Sequence, residues 1–210
     1  MAGLRKMCER LLPAEAELDW IRYFTARAGG SEADPHHPQR QEIYIRALRG
    51  ECMPFSLHEG HFRTDTEWLE LAGSPAAEPE RVKVRVKREK GSDVNLAAHL
   101  IADASERELD AAMVVTDDFD QEGALKMTKG LYGIRLIVVS PRRQRSLARA
   151  VGADFYKPIH ESLLLLECQL PAMALDHDGH EVHRPATWSE APENGEAAPR
   201  SGLLPSSRSN

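Results

Sequence analysis

An α/β fold with a parallel sheet flanked by helices is predicted by three features of the chain. Ala111-Ala112-Met113-Val114-Val115 and Ile134 to Val139 are apolar runs without polar alternation, as strands buried on both faces require. Between them Gln121 to Leu131 keeps helical spacing and Gly133 supplies a turn, so the segment reads strand, helix, strand with right-handed parallel pairing. Beyond Pro171 the chain is dominated by Pro, Ser, Gly, Ala and Glu, which predicts a disordered tail over 171–210 behind one domain over 1–170.

The remaining elements follow in order. Gly3 to Leu12 carries Leu4, Met7, Cys8, Leu11 and Leu12 on one side and stops at Pro13, which predicts an amphipathic helix. Leu18 to Ala28, rich in Trp20, Ile21, Tyr23, Phe24 and Thr25, predicts a strand. Gly29 to Pro38 is a loop, Gln39 to Arg49 a helix with Ile43, Ala47 and Leu48 inward, and Met53 to Phe62 a strand. Thr64 to Glu80, with Gly73, Pro75 and Pro79, reads as a loop. Arg81 to Glu89 alternates Val82, Val84 and Val86 with Lys83, Arg85 and Lys87, giving a strand with one apolar and one cationic face. Gly91 lets the chain turn into a helix that Ser92 is placed to cap, with Asp93 in its first turn and Val94, Ala97, Ala98 and Ile101 at helical spacing. After Pro141, Arg142-Arg143-Gln144-Arg145 opens a helix through Val151, Asp154 to Tyr156 is a short strand, and Pro158 to Leu170 a closing helix.

Composition narrows the function classes. The chain has 210 residues, 41% of them hydrophobic, enough for one core plus extensions. Its N-terminus lacks the apolar core of a signal peptide and no stretch has the length of a membrane span, so a cytoplasmic protein with no membrane partner is expected. Cys8, Cys52 and Cys168 are odd in number and far apart, which points to reduced thiols rather than disulfides or a zinc site. A net charge of -6 argues against coating nucleic acid by bulk charge but leaves room for a local basic groove.

The chemistry concentrates between Lys90 and Asp120. In open parallel sheets, sites lie outside the carboxyl ends of the strands, where Asp118 and Asp120 fall, with the start of the Asp93 helix as neighbour. Carboxylates gathered there repel one another and raise one another's pKa, and a hard cation, Mg²⁺ or Mn²⁺, resolves that repulsion. Lys87 and Lys90 before the Asp93 helix, and Arg142, Arg143 and Arg145 after the next strand, supply cations suited to phosphate oxygens. Against this stand plainer roles: Asp93 as a helix-terminus acid, and Asp117 to Asp120 as a polar loop opening the next helix. The histidines carry less: His36 and His37 point apart in extended chain, His58 and His61 flank a strand end and are surface or half-buried residues rather than a general base, and His177, His180 and His183 belong to a solvated tail.

Taken together, Lys90-Gly91, Asp93-Val94-Asn95-Leu96-Ala97, an apolar strand, then Thr116, Asp118 and Asp120 resemble the NYN domains, relatives of the LabA-like and PIN-like nucleases, whose pattern runs K-G-x-D-V-N-L-A and then S-x-D-S-D. The resemblance extends more loosely from about Leu4 to about Pro171. It implies a Rossmann-like (PIN-like) sheet and a metal-dependent ribonuclease: Asp93, Asp118 and Asp120 as catalytic metal ligands, Asn95, Thr116 and Asp117 supporting them, Mg²⁺ or Mn²⁺ as cofactor, and RNA as partner. A homodimer is compatible with the chain. Two departures are visible. The family's further acid, in a D-x-x-N motif after a first strand, has no counterpart here, so a middle strand and its carboxylate are expected to lie upstream of residue 1; and Phe119 stands where the family has Ser. An inactive RNA- or protein-binding module of the same fold is the alternative. Asp118-Phe119-Asp120 also resembles the D-x-D motif of haloacid dehalogenase phosphatases, but Ser140-Pro141-Arg142-Arg143 follows Val139 in place of that family's downstream groups.

Overall fold

The computed structural model describes residues 3–188 except 33, 76, 77, 107 and 108. The fold is mixed α/β, with parallel strands flanked by helices. In chain order come α1 (Leu4–Leu11), β1 (Ile21–Ala26), α2 (His37–Glu51), β2 (Phe55–Glu70), β3 (Arg81–Lys90), α3 (Ser92–Glu106), β4 (Ala111–Val115), α4 (Glu122–Tyr132), β5 (Arg135–Ser140), α5 (Ser146–Ala150), β6 (Phe155–Pro158), β7 (Met173–Leu175) and β8 (Glu181–His183).

Strand β5 shows why the apolar runs lack alternation. Leu136 and Val138 pack with Leu100 of α3, Leu125 of α4 and Leu147 of α5, while Ile137 and Val139 pack on the opposite face with Met7 and Leu11 of α1. Successive strand side chains point to opposite faces, so a strand covered on both sides must be apolar at every position. Burying each of these four contributes roughly 1.5–3 kcal/mol. A third cluster joins Ile21 of β1 to Ala47 and Leu48 of α2, with Leu170 and Val182 from the C-terminal part. Cys8, Cys52 and Cys168 are free and buried, and burial pushes the Cys8 thiol up to about 12 and that of Cys52 to about 11, which makes them poor nucleophiles.

The strands fall into two three-stranded sheets, ordered β1-β2-β3 and β4-β5-β6, and the pair β7-β8. Strands β1 and β2 are parallel, as are β4, β5 and β6. The expected parallel sheet is thus present in two parts. Strands β1 and β4 each have a neighbour on one edge only among the described residues. Between those edges lies a cleft of about 940 Å³, bounded by Ile21 and Tyr23 of β1, Ala111 and Met113 of β4, Met7 of α1 and Leu100 of α3.

Three expectations are corrected. The segment from Thr64 to Glu80 does not start as a loop: β2 runs on to Glu70, and its last ten residues pair antiparallel with the whole of β3. The polar composition that suggested a loop reflects a two-stranded ribbon with no core to face, while Thr64, Thr66 and Trp68 keep good strand propensity. The helix expected over Pro158 to Leu170 is reduced to one wide turn at Leu163–Glu167, since four consecutive leucines carry no helical stripe. The predicted disordered tail begins too early, because 171–188 contain the β7-β8 hairpin; its remainder, 189–210, lies outside the described residues.

One carboxylate ties that hairpin to α2. Asp176 Oδ2 accepts bonds from Arg46 Nη2 at 2.6 Å and Nε at 3.1 Å, and Asp176 Oδ1 accepts the N–H groups of Asp178 and His180, closing the turn around Gly179 (φ 82°). Val182 and Ala174 then pack beside Leu48 of α2. The Arg46 bonds, with help from the two amides, hold the Asp176 carboxyl down at about 2, against an ordinary value of 3.8. A depressed carboxylate pKa stabilises the fold above the unfolded value, and that contribution disappears as pH falls through the folded one. We therefore expect the melting temperature of the wild type to drop more steeply between pH 4 and pH 2 than that of Asp176→Asn, measured by thermal circular dichroism at fixed ionic strength.

Candidate functional site

The site is assembled where β3 hands the chain to α3. Gly91 has φ 96°, a conformation that side chains with a Cβ rarely adopt. Gly60 of β2 lies directly beneath: a Cβ added there would meet the Lys90 carbonyl oxygen and the Ser92 hydroxyl at 2.6 Å each. Asn95 donates its amide N–H to the Gly91 carbonyl at 2.8 Å and its side-chain amide to the Glu59 carbonyl at 3.4 Å, tying the first turn of α3 to the carboxyl end of the parallel part of β2. The expected Ser92 cap is not made. Ser92 is the first helical residue and donates its hydroxyl to Glu89, which leaves Asp93 exposed in the opening turn.

The second acidic segment starts at the carboxyl end of β4. Thr116 N–H bonds the Val139 carbonyl at 3.0 Å, and its hydroxyl accepts the Asp118 N–H at 3.0 Å. Asp118 Oδ1 in turn accepts the Asp120 N–H at 2.9 Å, capping the short turn Phe119–Gln121 that leads into α4. Asp117 points elsewhere: its Oδ2 accepts the Arg142 N–H at 2.7 Å, and its Oδ1 is buried without a partner among the described residues. Asp117 thereby fixes the loop after β5, where Ser140 Oγ also accepts the Gln144 N–H and Arg143 takes φ 59°.

A residue not anticipated from sequence joins the two segments. Gln121 is buried, and its side-chain amide donates to the Asp93 carbonyl at 3.1 Å. With this tie in place, Asp93 lies in the field of the other acids: partial loss of water around its carboxyl, then Asp118, Glu89 and Asp120, push it above the ordinary range. Glu89 also went unanticipated. The signal available was an acid interrupting an otherwise cationic alternation, three residues before Ser92 and four before Asp93. The structure thus groups Asp93, Asp118, Asp120 and Glu89 electrostatically, without closing three of them to within 4.8 Å of one another. Among the described residues that ligand spacing is found at Asp176, His177 and Asp178, which could hold a metal ion, although Asp176 is engaged by Arg46.

The predicted cations divide. Arg142 shares a surface recess with Thr116, Asp117, Asp118 and Phe119. Lys90 ends β3 beside the acidic turn, whereas the Lys87 ammonium sits 4.4 Å from the centre of the Phe62 ring. Arg145 stacks on Tyr156, 4.7 Å from its ring centre. His58 is stacked on Phe24 and lies 3.9 Å, centre to centre, from His99. Burial, His99 and Arg22 push its pKa down, so it is a half-buried neutral ring.

No protein-family model matches the chain. It is 29% identical to 6-hydroxy-3-succinoylpyridine 3-monooxygenase of Pseudomonas putida, over 82% of this chain and 58% of that protein, so it spans little more than half of that relative's length. Among solved structures it resembles a protein of unknown function from Vibrio parahaemolyticus, with 20% identity, a TM-score of 0.39, and coverage of 67% of this chain and 69% of that one. No helix among the described residues is long and apolar enough to cross a membrane.

The crowding around Asp93 has a measurable cost. A carboxyl whose folded pKa is raised stabilises the fold below its unfolded pKa, and that contribution is lost as pH rises through the folded one. In EDTA, Asp93→Asn should therefore melt at a higher temperature than wild type at pH 7, and the difference should vanish as pH is lowered below about 3.8, the ordinary value of the group.

Proposed function

We propose that this chain is a metal-dependent ribonuclease-like protein of the NYN kind on a PIN-like, Rossmann-like fold, hydrolysing RNA phosphodiester bonds with Mg²⁺ or Mn²⁺ held by Asp93, Asp118 and Asp120. The observation that carries it is the Gln121 bond to the Asp93 carbonyl, which ties the opening turn of α3 to the Asp118–Asp120 turn at the carboxyl end of β4; the raised Asp93 carboxyl accords with that proximity. An all-oxygen, anionic donor set fits a hard dication better than a soft one. When bound, such a cation withdraws charge from the phosphate and acidifies water. The chain's own groups do the positioning. Asn95 and Gln121 hold the Asp93 turn, Thr116 holds the Asp118 turn, and Asp117 holds the loop from which Arg142 and Arg143 reach phosphate oxygens. Lys87 and Lys90 lie on β3 just before the turn into α3. A parallel strand ending in a further acid, set into the cleft between β1 and β4, would add its carboxylate to this group.

The second reading, an inactive RNA- or protein-binding module, is favoured by two observations: the acids are not drawn to ligand spacing, and the Phe119 side chain stands exposed beside Asp118 and Asp120. Cleavage separates the two. Asp118→Asn should lower Mn²⁺-dependent cleavage of a labelled single-stranded RNA by more than the roughly 10–100-fold that loss of an outer-shell group costs, with melting and RNA binding retained. Binding without cleavage by pure wild type would establish the second reading, and turnover of 6-hydroxy-3-succinoylpyridine with no action on RNA would overturn both.

A further inference from the structure

The ribbon formed by the end of β2 and all of β3 leaves the parallel sheet at the edge that carries the acidic site. Strand β1 covers β2 only from Phe55 to Gly60, and from His61 to Glu70 the partner is β3 alone. Ten paired residues make an arm about 34 Å long. A free two-stranded ribbon is marginal in water, so its side chains need a reason to be there.

The register sorts those side chains into two unlike faces. On one, Arg63, Asp65, Glu67 and Leu69 stand opposite Arg88, Val86, Val84 and Val82. Its charges are consumed internally, Arg88 pairing with Glu67 and Arg63 with Asp65. On the other, Phe62, Thr64, Thr66 and Trp68 stand opposite Glu89, Lys87, Arg85 and Lys83, with Arg81 one step beyond. All of them are exposed, Trp68 by 57%. Among the described residues none of Arg81, Lys83, Arg85 and Lys87 pairs with a carboxylate. Acids occur on this face only at its ends, as Glu89 and Glu70. The face therefore offers a cation about every 6.8 Å, with two aromatic rings and two hydroxyls beside the row.

We propose that this face is a docking track for single-stranded RNA, which it feeds to the carboxylate turn at Gly91 and Asp93. The inference rests on the RNA reading above and adds the surface that takes the substrate. An evenly spaced row of cations without carboxylate partners among the described residues complements a phosphate backbone, and exposed aromatics stack bases without sequence preference. The arm's root is the site itself, since β3 runs straight into α3 through Lys90 and Gly91. An RNA strand following Lys83, Arg85 and Lys87 thus runs toward the turn that carries Asp93, with Glu89 at the end of the row.

The test uses the full chain carrying Asp118→Asn, so that binding is read without cleavage, and a fluorescein-labelled 20-nucleotide polyuridine RNA followed by anisotropy from 50 to 300 mM KCl. Adding Lys83→Ala and Arg85→Ala should weaken binding at least tenfold at 100 mM KCl and reduce the slope of log K against log salt by about 1.4, that is about 0.7 for each of two phosphate contacts. Trp68→Ala should weaken binding while leaving that slope unchanged. Arg63→Ala, on the opposite face, should change neither, and all variants should keep the parent's melting temperature. RNA binding that ignores the Lys83 and Arg85 changes would overturn the arm as track and leave the ribonuclease proposal standing. No RNA binding by the parent, or retention on anionic vesicles instead, would overturn both.

Discussion

Helix α3 must span the break between the two half-sheets, and the site exists because both of its ends are pinned. Its first turn is fixed by the close passage of Gly60 and by the Asn95 bond to β2, and near its far end Asp103 takes a bidentate grip from Arg22 of β1 at 2.6 and 2.7 Å. Its apolar side reaches β4, with Leu100 beside Ala112 and Val114. Because the buried Gln121 side chain bonds the Asp93 carbonyl, a shift of α3 relative to β4 would leave that amide without its partner, which costs more than an ordinary hydrogen bond contributes. Two acidic segments more than twenty residues apart in sequence are thereby held as neighbours.

Holding them so works against stability. A carboxyl held above its ordinary range, as that of Asp93 is, lowers stability at neutral pH. Sites that bind charge commonly retain such unfavourable arrangements. Asp176 shows the opposite case: a carboxylate with an arginine and two amides, depressed in pKa, whose role is to staple a hairpin. Ligand spacing alone would have pointed to Asp176, His177 and Asp178, whereas partner chemistry separates a structural acid from one left without compensation.

The cations show the same division. Arg88, Arg63 and Arg46 are each committed to a carboxylate, and Arg145 lies on a ring. Those on the outer face of the arm have no carboxylate partner among the described residues, although Lys87 lies over the Phe62 ring. In a chain with net charge -6, an unneutralised basic row is a local field that bulk composition conceals.

Sequence by itself determined the elements whose cause is local. Strand β4 falls where its apolar run predicts, β5 begins within one residue of its own, α3 begins directly after its turn signal Gly91 and α4 ends directly before its turn signal Gly133, because two-sided burial and left-handed glycine leave direct marks on residue choice. The acidic segments were legible for the same reason, since both sit at strand or helix ends. What needed the tertiary structure were contacts between distant segments: the split of the sheet, the run of β2 past its parallel partner into an arm, the hairpin that Asp176 holds, and the roles of Gln121 and Glu89. Nothing in a polar stretch such as Phe62 to Glu70 says whether its backbone bonds will be met by water or by another strand. That choice depends on the register of Arg81 to Lys90 across a turn, which only the folded chain supplies.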